Sequence, residues 1–219
     1  MASPAKLYQE EMHANIGFFP TWLPGDKIEI GDIGVLECGR FRRMASLTEL
    51  DIPYEITKGK STQNVQYSST EGTRIATSAG TAVAGLSKAE ITVEFAQEGA
   101  FIFHASCLQP LEMANRLAVS ESLLKAYQNG KWKKEWVLVE GLHAAECVTI
   151  VISQEGSASL VLEVTAETPI SSVLLADPKV RLSVTSTRGK MMNLIGERNL
   201  HPLYSCLRLK DPLFGTVEI

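Results

Sequence analysis

The sequence predicts an α+β protein: a large, mostly antiparallel, twisted sheet with one or two helices packed on a face. Three observations predict it. Segments of alternating apolar and polar residues recur along the chain, with the period of half-buried strands. Short Gly-containing turns separate several of them, which favours antiparallel pairing. Only two long stretches, one near the N-terminus and one after Pro110, carry a helical period.

The chain has 219 residues, a length that suits one β-rich domain spanning 1–219. Its net charge of −4 excludes a whole-chain polyanion binder, so no nucleic-acid partner is expected. No run of apolar residues is long enough for a transmembrane helix. Met1-Ala2-Ser3-Pro4 opens neither a signal peptide nor an N-myristoylation site. Cys38, Cys107, Cys147 and Cys206 are widely spaced and form no disulfide framework. They read as reduced, mostly buried thiols of a cytoplasmic protein.

Taken in order, Pro4–Asn15 reads as a short helix, with Tyr8 and Met12 at i, i+4 spacing and an end near Gly17. Phe18 to Gly25 is too apolar for a free loop and reads as an extended segment against the core, closed by the turn Pro24-Gly25-Asp26. Lys27–Glu37 supplies the core candidates Ile28, Ile30, Ile33, Val35 and Leu36, and Gly39 closes it. In Phe41–Leu50 a basic segment precedes a helical turn, with Ser46 and Glu49 spaced as a capping box.

Residues 57–80 are rich in Ser, Thr and Gly, and read as a polar loop or as an edge hairpin through Asn64–Ser68 and Thr73–Thr77. Ile91, Val93 and Phe95 mark a strand, and Gln97-Glu98-Gly99 reads as a hairpin loop before Phe101 and Phe103. The helix after Pro110 places Met113, Leu117, Leu124 and Tyr127 on one stripe and stops at Gly130. Trp136–Ser153 is a long strand, with a bulge expected at Gly141. Glu155-Gly156 is expected to turn it into an antiparallel hairpin with Ser157–Ala166, in one continuous sheet. Thr168-Pro169 breaks the pattern and Ser171–Ala176 reads as a helical turn. Val180, Leu182 and Val184 mark a further strand. Met191–Ile195 and Leu203–Leu209 read as two strands joined by a turn at Asn199–Pro202.

No catalytic signature stands out. Three histidines lie near cysteines: His104 and Cys107, His143 and Cys147, His201 and Cys206. On a strand only His143 and Cys147 share a face, and a metal site needs its ligands to converge. Gly31-Asp32-Ile33-Gly34 lacks the spacing of a phosphate loop, and no Gly-x-Ser-x-Gly elbow occurs. The chain reads as non-enzymatic, with no catalytic residue, cofactor or metal expected.

Two basic clusters are the candidate membrane-binding residues. One is Arg40, Arg42 and Arg43 around Phe41; the other is Lys131, Lys133 and Lys134 around Trp132, with Trp136 close by. Cations interleaved with tryptophan suit an anionic membrane interface. The alternatives are a grip on nucleic acid and a solvated helix end, where lysines face the last carbonyls.

The order of elements also resembles a known family. Phe101–Ala105, a helix, then Trp136-Val137-Leu138-Val139-Glu140 opening a long strand is similar to the pore-forming core of the gasdermins. Lys190–Ile195 through His201-Pro202-Leu203-Tyr204 to Leu209 is similar to that family's closing segment. The resemblance covers roughly Ala89–Phe214. Departures are Cys38, too far in for an acylated N-terminal cysteine, and Glu10 and Glu11, which make the first helix acidic. Little chain follows Phe214, so control is expected from a regulatory partner or from assembly. The resemblance implies a membrane-binding protein of cell death or defence that forms homo-oligomeric β-barrel pores. The alternative is a soluble β-rich interaction or ligand-binding module with no membrane role.

Overall fold

The computed structural model of the chain describes residues 3–22, 27–78, 82–83, 86–166 and 175–210. The turn expected at Pro24-Gly25-Asp26, the break at Thr168-Pro169 and most of the turn expected at Ser171–Ala176 lie outside them. In chain order the elements are α1 (Pro4–Ile16), β1 (Phe19–Pro20), β2 (Asp32–Glu37), β3 (Arg40–Ser46), a 3₁₀ turn (Thr48–Leu50), β4 (Ile56–Lys58), β5 (Gln63–Ser68) and β6 (Thr73–Ser78). There follow β7 (Ala82–Val83), β8 (Leu86–Phe95), β9 (Phe101–Met113), α2 (Arg116–Gln128), β10 (Val137–Ser153), β11 (Ala158–Ala166), β12 (Arg181–Arg188) and β13 (Met191–Arg208). The class is α+β, dominated by antiparallel sheet, with two sheets rather than one.

The chain divides into two compact units. The first comprises Met1–Glu11, Gln63–Leu108 and Ala145–Leu200. It is a two-layer sandwich. One layer has the order β5-β9-β10-β13 and the other β6-β8-β11-β12. Consecutive strands alternate between layers: β5 leads to β6, β8 to β9, β10 to β11 and β12 to β13. The four connections, at 69–72, 96–100, 154–157 and 189–190, are therefore arches that cross the core, not hairpins within a sheet. Each holds one residue with positive φ: Gly72, Gly99, Ser157 and Gly189.

This corrects two expectations. β10 and β11 do not pair with each other; β11 pairs with β8, from Ala158↔Phe95 to Ala166↔Ser87, and with β12. β5 and β6 are both edge strands, but β5 pairs with β9 and β6 with β8. The reason is burial. β10 is covered on both faces along nearly its whole length, whereas β11 alternates buried and half-buried positions. The buried faces of β8 and β11, with Ile91, Val93, Phe95, Leu160, Leu162 and Val164, close on Ile102 of β9 and Val151 of β10. Stacking the two faces removes both from water, which edge pairing in one sheet would not do.

The second unit comprises Met12–Thr62, Gln109–Ala144 and His201–Ile219. β2 and β3 form a hairpin whose turn residues Cys38 and Gly39 have φ 51° and 80°, the primed-turn geometry that suits strand twist. Val137 and Leu138 of β10 pair with Gly34 and Ile33 of β2, and Phe19 of β1 with Tyr204 of β13. The core gathers Ile28, Ile30, Ile33, Leu138, Val139 and Tyr204. Half of the expected capping box forms: the Glu49 amide donates to Ser46 Oγ at 3.3 Å, while the Glu49 carboxylate accepts from that hydroxyl and from Arg43.

Two local expectations need correction. The helix after Pro110 begins only at Arg116, because Met113 ends β9 and is buried there. Its core face is Val119 and Leu123, while Leu117 is 76% exposed. The two C-terminal strands are one, β13, in which Gly196 and Asn199 take φ 65° and 56° without reversing the chain. Gly141 lies within β10. A Cβ there would lie 2.7 Å from Ser205 Oγ, so the glycine admits a close neighbour.

Candidate functional site

The basic turn at 131–136 belongs to the second unit. α2 ends in a Schellman motif: Gly130, with φ 70°, donates to the Tyr127 carbonyl at 3.0 Å, and Lys131 donates to that of Ala126 at 2.8 Å. The motif turns the chain so that Trp132 folds back into the core, 3% exposed, beside Val119 and Leu123. Trp136 is half-buried, edge-on to Trp132 at 5.7 Å between ring centroids. Lys133 Nζ sits 5.8 Å above the Trp136 ring. Lys131, Lys133 and Lys134 are exposed, as is Glu135. The turn is thus a cluster of solvent-facing cations on an aromatic footing, with one of its two indoles taken up by packing.

The structure brings those five residues together and gives the arginine cluster other work. Arg43 Nε lies 2.7 Å from Asp32 and its NH2 group 2.6 Å from Glu49. Hydrogen bonds first to Asp32 and then to Glu49 raise its already high pKa. Arg42 pairs with Glu37 at 3.1 Å, across the turn between β2 and β3. Arg40 lies over the Trp22 ring at 5.3 Å. Two of these three charges are balanced within the hairpin and its flanking turn.

Among the described residues no group of three or more His, Cys, Asp or Glu converges as a metal site requires. His104 is buried in β9 with Nδ1 unpartnered, and burial lowers its pKa to about 4. His143 is buried on β10 against the edge of Phe18, and burial lowers its pKa too. The Cys107 thiol is pushed up by its hydrogen bond to Glu146. Burial pushes up those of Cys147 and Cys206. Raised values keep these thiols protonated and poor as nucleophiles. All four cysteines are free.

One buried carboxylate has a clear structural task. Glu140 of β10 is raised by burial, opposed by Arg116, whose Nε lies 3.0 Å from it. Arg116 also reaches Glu112 at 3.7 Å, so the first residue of α2 ties the helix to β9 and β10. In the first unit, an open depression of about 470 Å³ crosses the second layer, lined by Arg74, Glu94, Ser157, Ser159 and Arg188.

No model of a known protein family matches the chain, and no curated protein sequence matches it. Among the described residues no helix is long and apolar enough to cross a membrane. Reading the sequence for clustered cations missed a more dispersed feature. From Pro178 to Gly196 there is no acidic residue, while Lys179, Arg181, Arg188 and Lys190 lie within that span. The pattern was visible in the sequence, but only the sheet order shows that it flanks an edge strand.

Proposed function

We propose that this chain is a non-enzymatic membrane-binding protein that docks on anionic lipid through the turn at 131–136. It then assembles into a β-barrel pore, as its gasdermin resemblance implies. One observation carries the docking step: Lys131, Lys133 and Lys134 are exposed together on one short turn next to the half-buried ring of Trp136. Trp132 is held in the core, so the lipid contact rests on the lysines. Arg42 and Arg43, already paired with acids, contribute little to it.

Each lysine near an anionic surface is worth about 1 kcal/mol, so Lys→Gln at all three positions is expected to weaken binding roughly a hundredfold. Co-sedimentation with anionic liposomes at low and physiological salt measures this, and dye release from the same liposomes tests the pore. If the wild-type chain stays in the supernatant under both conditions, the reading gives way to a soluble interaction module. The burial of Trp132 and the edge of β12 that no described strand covers favour that second reading.

A further inference from the structure

We infer that the free edge of β12 is a strand-addition site for an extended, acidic segment of a partner protein. Among the described strands β12 pairs only with β11, so the backbone amides and carbonyls of its other edge point outward unpaired. The strand has eight residues, contains no proline and is exposed throughout except at Leu182. Its register on β11 sorts the side chains. Arg181, Ser183, Ser186 and Arg188 lie opposite the half-exposed Thr165, Glu163, Val161 and Ser159. Leu182 and Val184 lie opposite the buried Val164 and Leu162.

Two observations define the occupant. Val184 belongs to the core-facing row but remains 44% exposed, and among the described residues no further strand covers that margin. A strand added there would place an apolar side chain beside it. Arg181 and Arg188 flank the edge, with Lys179 and Lys190 just beyond, and among the described residues none of the four forms an ion pair. An added strand with acidic residues on its outer face would meet both arginines.

A second copy of this chain fits poorly. Antiparallel pairing of β12 with itself sets Arg181 against Arg188. The edge strands β5 and β6 carry no acidic residue to offer. Thr185 is bulged out of the β11 register, its Oγ1 donating to the Val161 carbonyl at 3.2 Å, a break that any added strand has to accommodate.

The test is fluorescence anisotropy of the full chain with a labelled peptide of alternating glutamate and valine, about eight residues long to match β12. Saturable binding is expected. Arg181→Glu with Arg188→Glu should weaken it by about tenfold or more, and a proline at the peptide's centre should abolish it, since proline cannot complete the backbone ladder. Amide exchange should slow along β12 in the complex. The proline peptide tests the idea without altering the protein, and unchanged thermal unfolding shows that the arginine variant is folded. The proposal is overturned by no saturable binding, by equal binding of the proline peptide, or by indifference to the charge reversal. It is also overturned if the two arginines govern binding to anionic vesicles and not to the peptide.

Discussion

The Gly99 amide donates to the Ser153 carbonyl at 2.9 Å, and the Ser153 amide to the Ala100 carbonyl at 2.8 Å. This reciprocal pair joins two arches of the first unit where each leaves its layer. The other arches are joined in the same way. Ser69 donates to the Phe101 carbonyl at 2.9 Å, Ala96 to that of Gly72 at 2.7 Å, and Gln154 to that of Lys190 at 2.9 Å. Backbone groups that a crossing chain would leave unpaired are therefore satisfied by the neighbouring crossing.

The core between the layers should be the most costly place to remove volume. Leu162 is fully buried there, so Leu162→Ala is expected to destabilise the chain by about 2–5 kcal/mol. Val184→Ala, at the open margin, should cost less than about 1 kcal/mol. Urea unfolding of the two variants tests the ranking; equal losses would mean that the margin is as well packed as the centre.

Ser157 takes φ 62° in an arch whose counterparts at that conformation are all glycine. A left-handed conformation costs a residue with a Cβ about 1 kcal/mol. Ser157→Gly is thus expected to be neutral or to stabilise by up to about 1 kcal/mol, after the entropy that glycine adds to the unfolded chain. Thermal unfolding reads the sign, and a clear loss of stability would show that the Ser157 side chain has a role of its own.

His104 should make the fold acid-sensitive. Its folded pKa of about 4 lies below the ordinary 6.5, so the unfolded chain takes up the proton first as pH falls. The stability linked to the neutral imidazole is present above about pH 6.5 and declines between 6.5 and 4. The total is about 3 kcal/mol at most. His104→Leu removes a group with an unpartnered Nδ1, so it should change stability little at pH 7.5 and flatten the acid limb. Chemical denaturation at several pH values compares the two chains; parallel curves would clear His104 of the effect.

Gly141 and Ser205 should be coupled. Gly141→Ala places a methyl 2.7 Å from Ser205 Oγ, for a cost of about 1–2 kcal/mol. Ser205→Gly in the same chain should recover part of it, and a double-mutant cycle measures the recovery. Strict additivity of the two changes would mean that the contact is not the cause.

Removing Arg116 should expose the burden that Glu140 places on the second unit. Arg116→Gln leaves a mostly buried carboxylate facing Glu112 without its cation, and a loss of about 1–3 kcal/mol is expected at neutral pH. Because protonation of Glu140 relieves it, the deficit should shrink as pH is lowered toward 5. A deficit that grows on acidification would contradict this.

The sequence by itself determined where several elements lie. Ser3-Pro4 sets the start of α1, with Ser3 receiving the first helical amides and proline at the first helical position. Gly130 ends α2, and period-two alternation marks β8, β11 and β12. These features are local, and local sterics and capping decide them. What only the tertiary structure decided was pairing. Gln97-Glu98-Gly99 and Glu155-Gly156 look the same in sequence whether the chain returns beside itself or crosses to another layer. Both choices keep the alternation and bury one face. The crossing wins because β10 is buried on both faces and needs partners at both edges and a cover on each side, and β11 serves better as cover than as neighbour. For the same reason Trp132 could be read from sequence as an interfacial aromatic. Its place was settled by a core that had room for an indole behind the helix end.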